Sequence, residues 1–280
     1  LTLKSPILQE HRLEKQLVAV SRQKHFGKAW NAPASYTFAG ATNLAPLSAQ
    51  EIGHAARSLP LAFVQSEGTP VLVALLGLLP GQNLFVAPQG QWLGTYIPAV
   101  LRAYPFTLAS TAQGNDQLAL AVEETSGLIG EQEAGGTPFF AEDGQTPHPK
   151  TQAMLEFLLQ VRRGAEAARN AVAALDAAGV IEPWPISLKD GENTKALSGI
   201  SRINEKALNA LPDDAFLTLK RAGALPVAYA QLIAMPNFAI LERLTKSQAA
   251  LKQRQIAEEA KLFMPAMEDE KFDWDSLFKD

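Results

Sequence analysis

A chain of 280 residues that is 47% hydrophobic and 19% charged can bury one large core or two ordinary ones, which excludes global disorder. Its net charge of −4 leaves no electrostatic footprint for nucleic acid or an anionic membrane surface. The absence of cysteine excludes disulfide staples, thiolate nucleophiles, zinc–cysteine centres and iron–sulfur ligation.

The opening "LTLKSPILQEHRLEKQLVAV" interleaves Lys4, Glu10, His11, Arg12, Glu14 and Lys15 with apolar residues, so it holds no uninterrupted signal-peptide core. Short β-compatible runs bounded by Gly and Pro follow, at residues 36–39, 61–65, 71–78, 84–87, 106–110 and 118–123. The apolar run at 71–79 is far below the ~20 residues of a membrane-spanning helix, and no transmembrane segment is expected. Ser48 followed by Glu51 forms a capping-box pattern that predicts a helix between Leu47 and Pro60. A second short helix is predicted from about Tyr96 to Ala103, with Thr95 as its cap.

The densest turn and aromatic signal is "GQNLFVAPQGQWLGTYIPAVLRAYPF", residues 81–106. Trp92, Tyr96, Tyr104 and Phe106 are expected as core anchors, Asn83 as a turn brace, and Arg102 as a surface residue laying its stem on Tyr104. The competing interpretation makes Asn83, Phe85, Trp92, Tyr96, Arg102 and Tyr104 a ligand-binding groove. In it Arg102 clamps a carboxylate and the rings supply stacking surface.

From Thr151 the pattern becomes helical, with Met154, Leu158, Val161, Ala165, Ala168, Val172 and Leu175 on one stripe. Alanine midway along that stripe lets a neighbour approach closely, and Gly179 followed by "EPWP" ends the helix. Residues 187–199 are polar and are expected to form a mobile loop. A short helix is predicted over "INEKALNAL", then another opened by Pro212, Asp213 and Asp214 and stopped by Gly223. "LSAQEIGHAARSLPLAF" and the helix leading into "LPVAYAQL" share a local order, a weak hint of duplication. A polar helix with a thin apolar edge is predicted from Asn237 to about Phe263. The closing tail carries Glu268, Asp269, Glu270, Asp273, Asp275 and Asp280 against Lys271 and Lys279. Among these charges Phe272, Trp274, Leu277 and Phe278 form a candidate partner-binding motif, docking on another protein or on the chain's own body.

The fold class is α+β: an N-terminal short-stranded mixed or antiparallel sheet with helices, then a mainly helical part. Its expected divisions are an α+β domain over 1–150, a helix-rich part over 151–245, and an extended helix with the acidic aromatic tail over 246–280. His11, His25, His54 and His148 show no metal-ligand spacing and are expected as ordinary surface or satisfied polar residues. Nucleophile-elbow, Walker and dinucleotide-binding motifs are absent, Ser21-x-x-Lys24 lacks its companion motifs, and adjacent Glu123 and Glu124 point to opposite strand faces. No catalytic residue, metal or cofactor is therefore assigned.

In combination, "LPLAFV" (59–64), residues 73–106, "EPWPI" (182–186), residues 203–235 and "FDWDSL" (272–277) resemble the bacterial SapC family, named after a surface-layer-associated protein. The resemblance runs from Leu17 onward. The missing catalytic motifs and the acidic aromatic tail point to a non-catalytic accessory or binding protein, and the resemblance implies an association with the cell envelope or nutrient uptake. Alternatives are an enzyme modifying a small molecule or peptide in a pocket around Trp92 and Arg102, and a structural surface-layer component. The family name suggests the cell surface, whereas the lack of a signal-peptide core points to the cytoplasm.

Overall fold

The computed structural model describes residues 16–110, 118–190 and 193–263. The chain opens with β1 (Leu17–Ala19), α1 (Arg22–His25), β2 (Lys28–Trp30), β3 (Leu44–Pro46) and α2 (Ile52–Ala56). It continues through β4 (Leu61–Ser66), β5 (Thr69–Leu75), α3 (Ala99–Arg102), β6 (Phe106–Ser110), β7 (Leu118–Glu123), β8 (Ile129–Glu131) and β9 (Thr137–Pro138). After α4 (Pro149–Ala177) come β10 (Ile181–Pro183), β11 (Ile186–Asp190), β12 (Asn193–Leu197) and β13 (Ile200–Ile203). Four helices close the described chain: α5 (Glu205–Asn209), α6 (Asp213–Arg221), α7 (Ala224–Ala234) and α8 (Phe238–Phe263). The fold is α+β, with antiparallel sheets and a helical C-terminal part. Two compact units meet in sequence at Leu241, and among the described residues the first of them holds all the sheets.

The main sheet has the order β10-β13-β4-β5-β3, all antiparallel. It takes β3, β4 and β5 from before residue 150 and β10 and β13 from after it. Leu61 to Val64 are buried one after another, so β4 is covered on both faces and lacks the alternation of a half-solvated strand. Two smaller sheets, β1-β7-β6 and β8-β2-β9, accompany a second core of Trp30, Phe106, Leu120, Val122, Phe139 and Leu158.

α4 joins these regions. With 29 residues it is about 44 Å long. Leu158 enters the Trp30–Phe139 cluster, while Ala168, Ala171, Val172 and Leu175 are buried further along, where α4 packs on α7 and β5. The predicted stripe is thus the buried face, with Met154, Val161 and Ala165 half-buried along it. Close approach occurs at Gly164, where an added Cβ would run into the Gln50 amide and lie 2.9 Å from Ser48 Cβ.

Several local expectations are corrected. Residues 37–39 form a 3-10 turn, because the Ala39 and Gly40 amides bond back to Tyr36 and Thr37 instead of to a neighbouring strand. Residues 84–87 make only a single bridge, Val86 with Trp92; turn contacts to Leu76, Gln91 and Leu93 take up their backbone groups. α3 is capped by Pro98, whose carbonyl accepts the Leu101 and Arg102 amides, and Thr95 lies outside it. The polar stretch after residue 186 is the β11–β12 hairpin, held by backbone pairing that side-chain polarity does not reveal. "LPLAF" enters a strand whereas "LPVAYAQL" lies in α7, so the two similar segments fold differently. The helical run Ala224–Leu251 contains an 18-residue window of mean hydropathy 1.5 and is long and apolar enough by length and composition to cross a membrane, unlike the run at 71–79. Within it, α7 turns Ala224, Val227, Ala228, Gln231 and Ala234 into the core.

Gln231 completes the main sheet from the side. The β13–β4 ladder stops at Ser201–Phe63. Beyond that point the fully buried Gln231 amide accepts from Ile203 N (2.9 Å) and donates to Leu61 O (3.2 Å), standing in for a peptide group between the two strands. Gln231→Leu strands both backbone groups, and urea denaturation should record a loss of about 3 kcal/mol.

His25 is not a surface histidine: it is fully buried against Phe139, with ring centroids 4.8 Å apart. Its Nε2 has no hydrogen-bond partner and lies 3.5 Å from Glu124 Oε1. Burial lowers its pKa below the ordinary 6.5, outweighing the Ser21 carbonyl and Glu124, which act the other way. The folded chain therefore binds this proton less readily than the unfolded one. The His25 contribution is full above pH 6.5 and is lost as pH falls from there through the lowered folded value. His25→Gln should flatten this part of a melting-temperature profile measured against pH.

Candidate functional site

The site begins with the capping box read from the sequence. Ser48 starts a 3-10 turn, Ala49–Glu51, that runs on into α2, and Glu51 reaches back to its cap. Glu51 Oε1 accepts from Ser48 N (2.8 Å) and Ser48 Oγ (2.9 Å). Its Oε2 accepts from Tyr96 Oη (2.9 Å) and Ala99 N (2.8 Å). One buried carboxylate thereby satisfies four donors and ties α2 to the first turn of α3, 48 residues away.

These contacts hold Tyr96 in place. Burial, and secondarily the charge and hydrogen bond of Glu51, push its phenol up to about 12. His54, on α2, stacks on Tyr96 at 5.9 Å with planes 13° apart. Arg102 adds a cation whose Nε donates to Ile97 O (3.1 Å) and whose Nη2 donates to Tyr96 Oη (3.3 Å). Its guanidinium carbon lies 5.6 Å from the Tyr96 ring centroid and 5.2 Å from that of Phe157 on α4.

Ser48, Gln50, Glu51, His54, Tyr96, Ala99, Arg102, Phe157, Gln160 and Val161 line a half-open cavity of about 370 Å³, with Gln50, His54, Arg102 and Gln160 exposed at its rim. A shallower depression beside it shares Gln50, Phe157 and Gln160 and reaches Arg163 along α4. Among the described residues, no group of three or more His, Asp and Glu side chains is placed to hold a metal ion.

Of the six proposed ligand-binding residues, Tyr96 and Arg102 line this cavity. Asn83 is buried, donating to Ala39 O (3.0 Å) and accepting from Phe85 N (3.0 Å), the arrangement of a turn brace. Phe85 is in the core and stacks on Trp92, whose indole donates to Tyr96 O (3.0 Å). Trp92 thus stands behind the cavity wall. Tyr104 stacks on Phe38 at 3.9 Å rather than beneath the Arg102 stem, which lies against Tyr96 and Phe157. The turn before Trp92 relies on Gly90, at φ +86°, where a Cβ would stand 2.6 Å from Ser35 Cβ. Phe272, Trp274, Leu277 and Phe278 lie outside the described residues.

Sequence reasoning missed Ser48, Gln50, Glu51, His54, Phe157 and Gln160. Ser48 and Glu51 already have a complete local role as a cap, and α4's contribution depends on long-range packing. A family model described as SapC matches residues 20–241. The chain belongs to the SapC family. The SapC match ends at Leu241, where the first compact unit also ends, so the entire cavity lies inside it. Searches of curated proteins and of solved structures give no match.

Glu51→Gln places an amide N–H₂ where the carboxylate receives donors, setting donor against donor. We expect a stability loss of about 3 kcal/mol by urea denaturation. The Tyr96 phenol should also titrate below the wild-type value of about 12 when followed by NMR, while remaining above 10 because burial is the largest cause of its shift.

Proposed function

We propose that this SapC-family chain is a binding protein for a small organic molecule held in the cavity between the 48–54 segment, α3 and α4. One observation carries this reading: the polar wall is organised around a carboxylate already saturated by four donors. Glu51 is committed to position, and Tyr96, pushed up to about 12, keeps its proton near neutral pH. Neither group is poised for general acid–base work. The cavity volume falls within the ~300–1,000 Å³ typical of small-molecule sites. Its lining mixes the Phe157 ring and Val161 with the polar ends of Gln50, His54, Arg102 and Gln160, a surface suited to an amphipathic ligand.

A second reading, an enzyme, has one observation in its favour. His54 and Arg102 share the cavity, which supplies a base type beside an anion-binding type. Retention of small molecules separates the two. The full chain and a Gln160→Trp variant, whose indole fills the cavity, are incubated with a metabolite extract and their bound molecules are identified by mass spectrometry. A molecule kept by wild type, lost from the variant and recovered unchanged supports binding. Its conversion to a product supports the enzyme, and equal retention by both proteins removes the cavity from either reading.

A further inference from the structure

We propose that Arg102 is a pre-organised clamp for a carboxylate, so that the ligand of this cavity is an organic acid; this inference rests on the binding reading above. A guanidinium has five N–H donors in a fixed planar fork. Among the described residues two are committed, Nε–H to Ile97 O and one Nη2–H to Tyr96 Oη, leaving three in the Nη1–Nη2 part of the fork. Those two bonds, with the rings of Tyr96 and Phe157 at 5.6 and 5.2 Å, fix the orientation of the group before any ligand arrives. Arg102 is exposed, as its surface reading expected, but its two hydrogen bonds and two ring contacts restrict a side chain that would otherwise lose its freedom only on binding.

Charge balance points the same way. Glu51, the acid in the cavity wall, spends both oxygens on Ser48, Tyr96 and Ala99 and forms no ion pair with Arg102 within 4 Å. Among the described residues no other carboxylate pairs with Arg102. An exposed cation flanked by two aromatic rings, joined to the nearest carboxylate only through the Tyr96 hydroxyl, is complemented by a ligand anion, and two parallel N–H donors match the two oxygens of a carboxylate. Phe157, Val161 and Ala99 would then meet the ligand's apolar body.

The test uses benzoate, its neutral analogue benzamide, and phenyl phosphate on the full chain. Ligand-observed saturation-transfer NMR titrations read binding, and circular dichroism checks the fold of each variant. Wild type should bind benzoate at least about tenfold more tightly than benzamide. Arg102→Lys keeps the charge but removes the planar fork, so it should weaken benzoate about tenfold while leaving benzamide unchanged. Arg102→Gln should erase the preference, and Gln160→Trp should abolish binding of both probes. Equal affinity for benzoate and benzamide, with both lost in Gln160→Trp, overturns the clamp while leaving the cavity reading intact. Benzoate binding that persists in Gln160→Trp counts against the cavity itself. Full benzoate affinity in Arg102→Lys, a tenfold preference for phenyl phosphate, or no binding of any probe to wild type each overturns the carboxylate assignment.

Discussion

The buried carboxylate of Glu51 is the constraint on which the site depends. Removing such a charge from water is costly unless donors replace the lost hydration, and here the replacements come from two distant pieces of chain. Two donors belong to the turn that begins α2, and two belong to the segment entering α3. Neither segment alone satisfies the carboxylate, so meeting its hydrogen-bonding demand also fixes where Tyr96, and through it Arg102, must stand. The cavity wall is thus assembled by a structural requirement.

α4 supplies the opposite wall under a different rule, that of close packing. Its 29 residues serve the Trp30–Phe139 cluster at one end and α7 with the main sheet at the other. Between those ends, Gly164 allows the Ser48–Gln50 turn to sit against the helix. Without a side chain there, Phe157, Gln160 and Val161 can face α3 across a gap of molecular size. Polar satisfaction on one side and small-residue packing on the other leave a concavity where they meet.

Much of the fold could be read from the sequence because its signals were local. β6 and β7 occupy their predicted residues, α6 has the charge distribution its termini favour, and α4 carries its apolar stripe over the expected span. The errors arose where local signals conflict with long-range pairing. Tyr36–Ala39 and Leu84–Ala87 have β-forming side chains but lack a strand partner, while the β11–β12 hairpin pairs despite polar composition. The site was half-legible. Tyr96 and Arg102 fall on the lining of the candidate cavity, yet Trp92 and Phe85 serve as backing and the partner that holds Tyr96 came from a residue already explained as a helix cap. A capping box uses one carboxylate oxygen, and nothing in the spacing of Ser48 and Glu51 indicates what the other oxygen will meet.

The Gln231 amide bears on the order in which the chain can assemble. It bridges two strand ends, one of which precedes it by 170 residues, and it takes the hydrogen bonds that a continued ladder would have formed. Seating β13 beside β4 therefore remains incomplete until a helix further along has been made. On a ribosome, the hairpin of β4 and β5 can close early, but the last strands of that sheet wait for the emergence of a segment that contributes no strand at all.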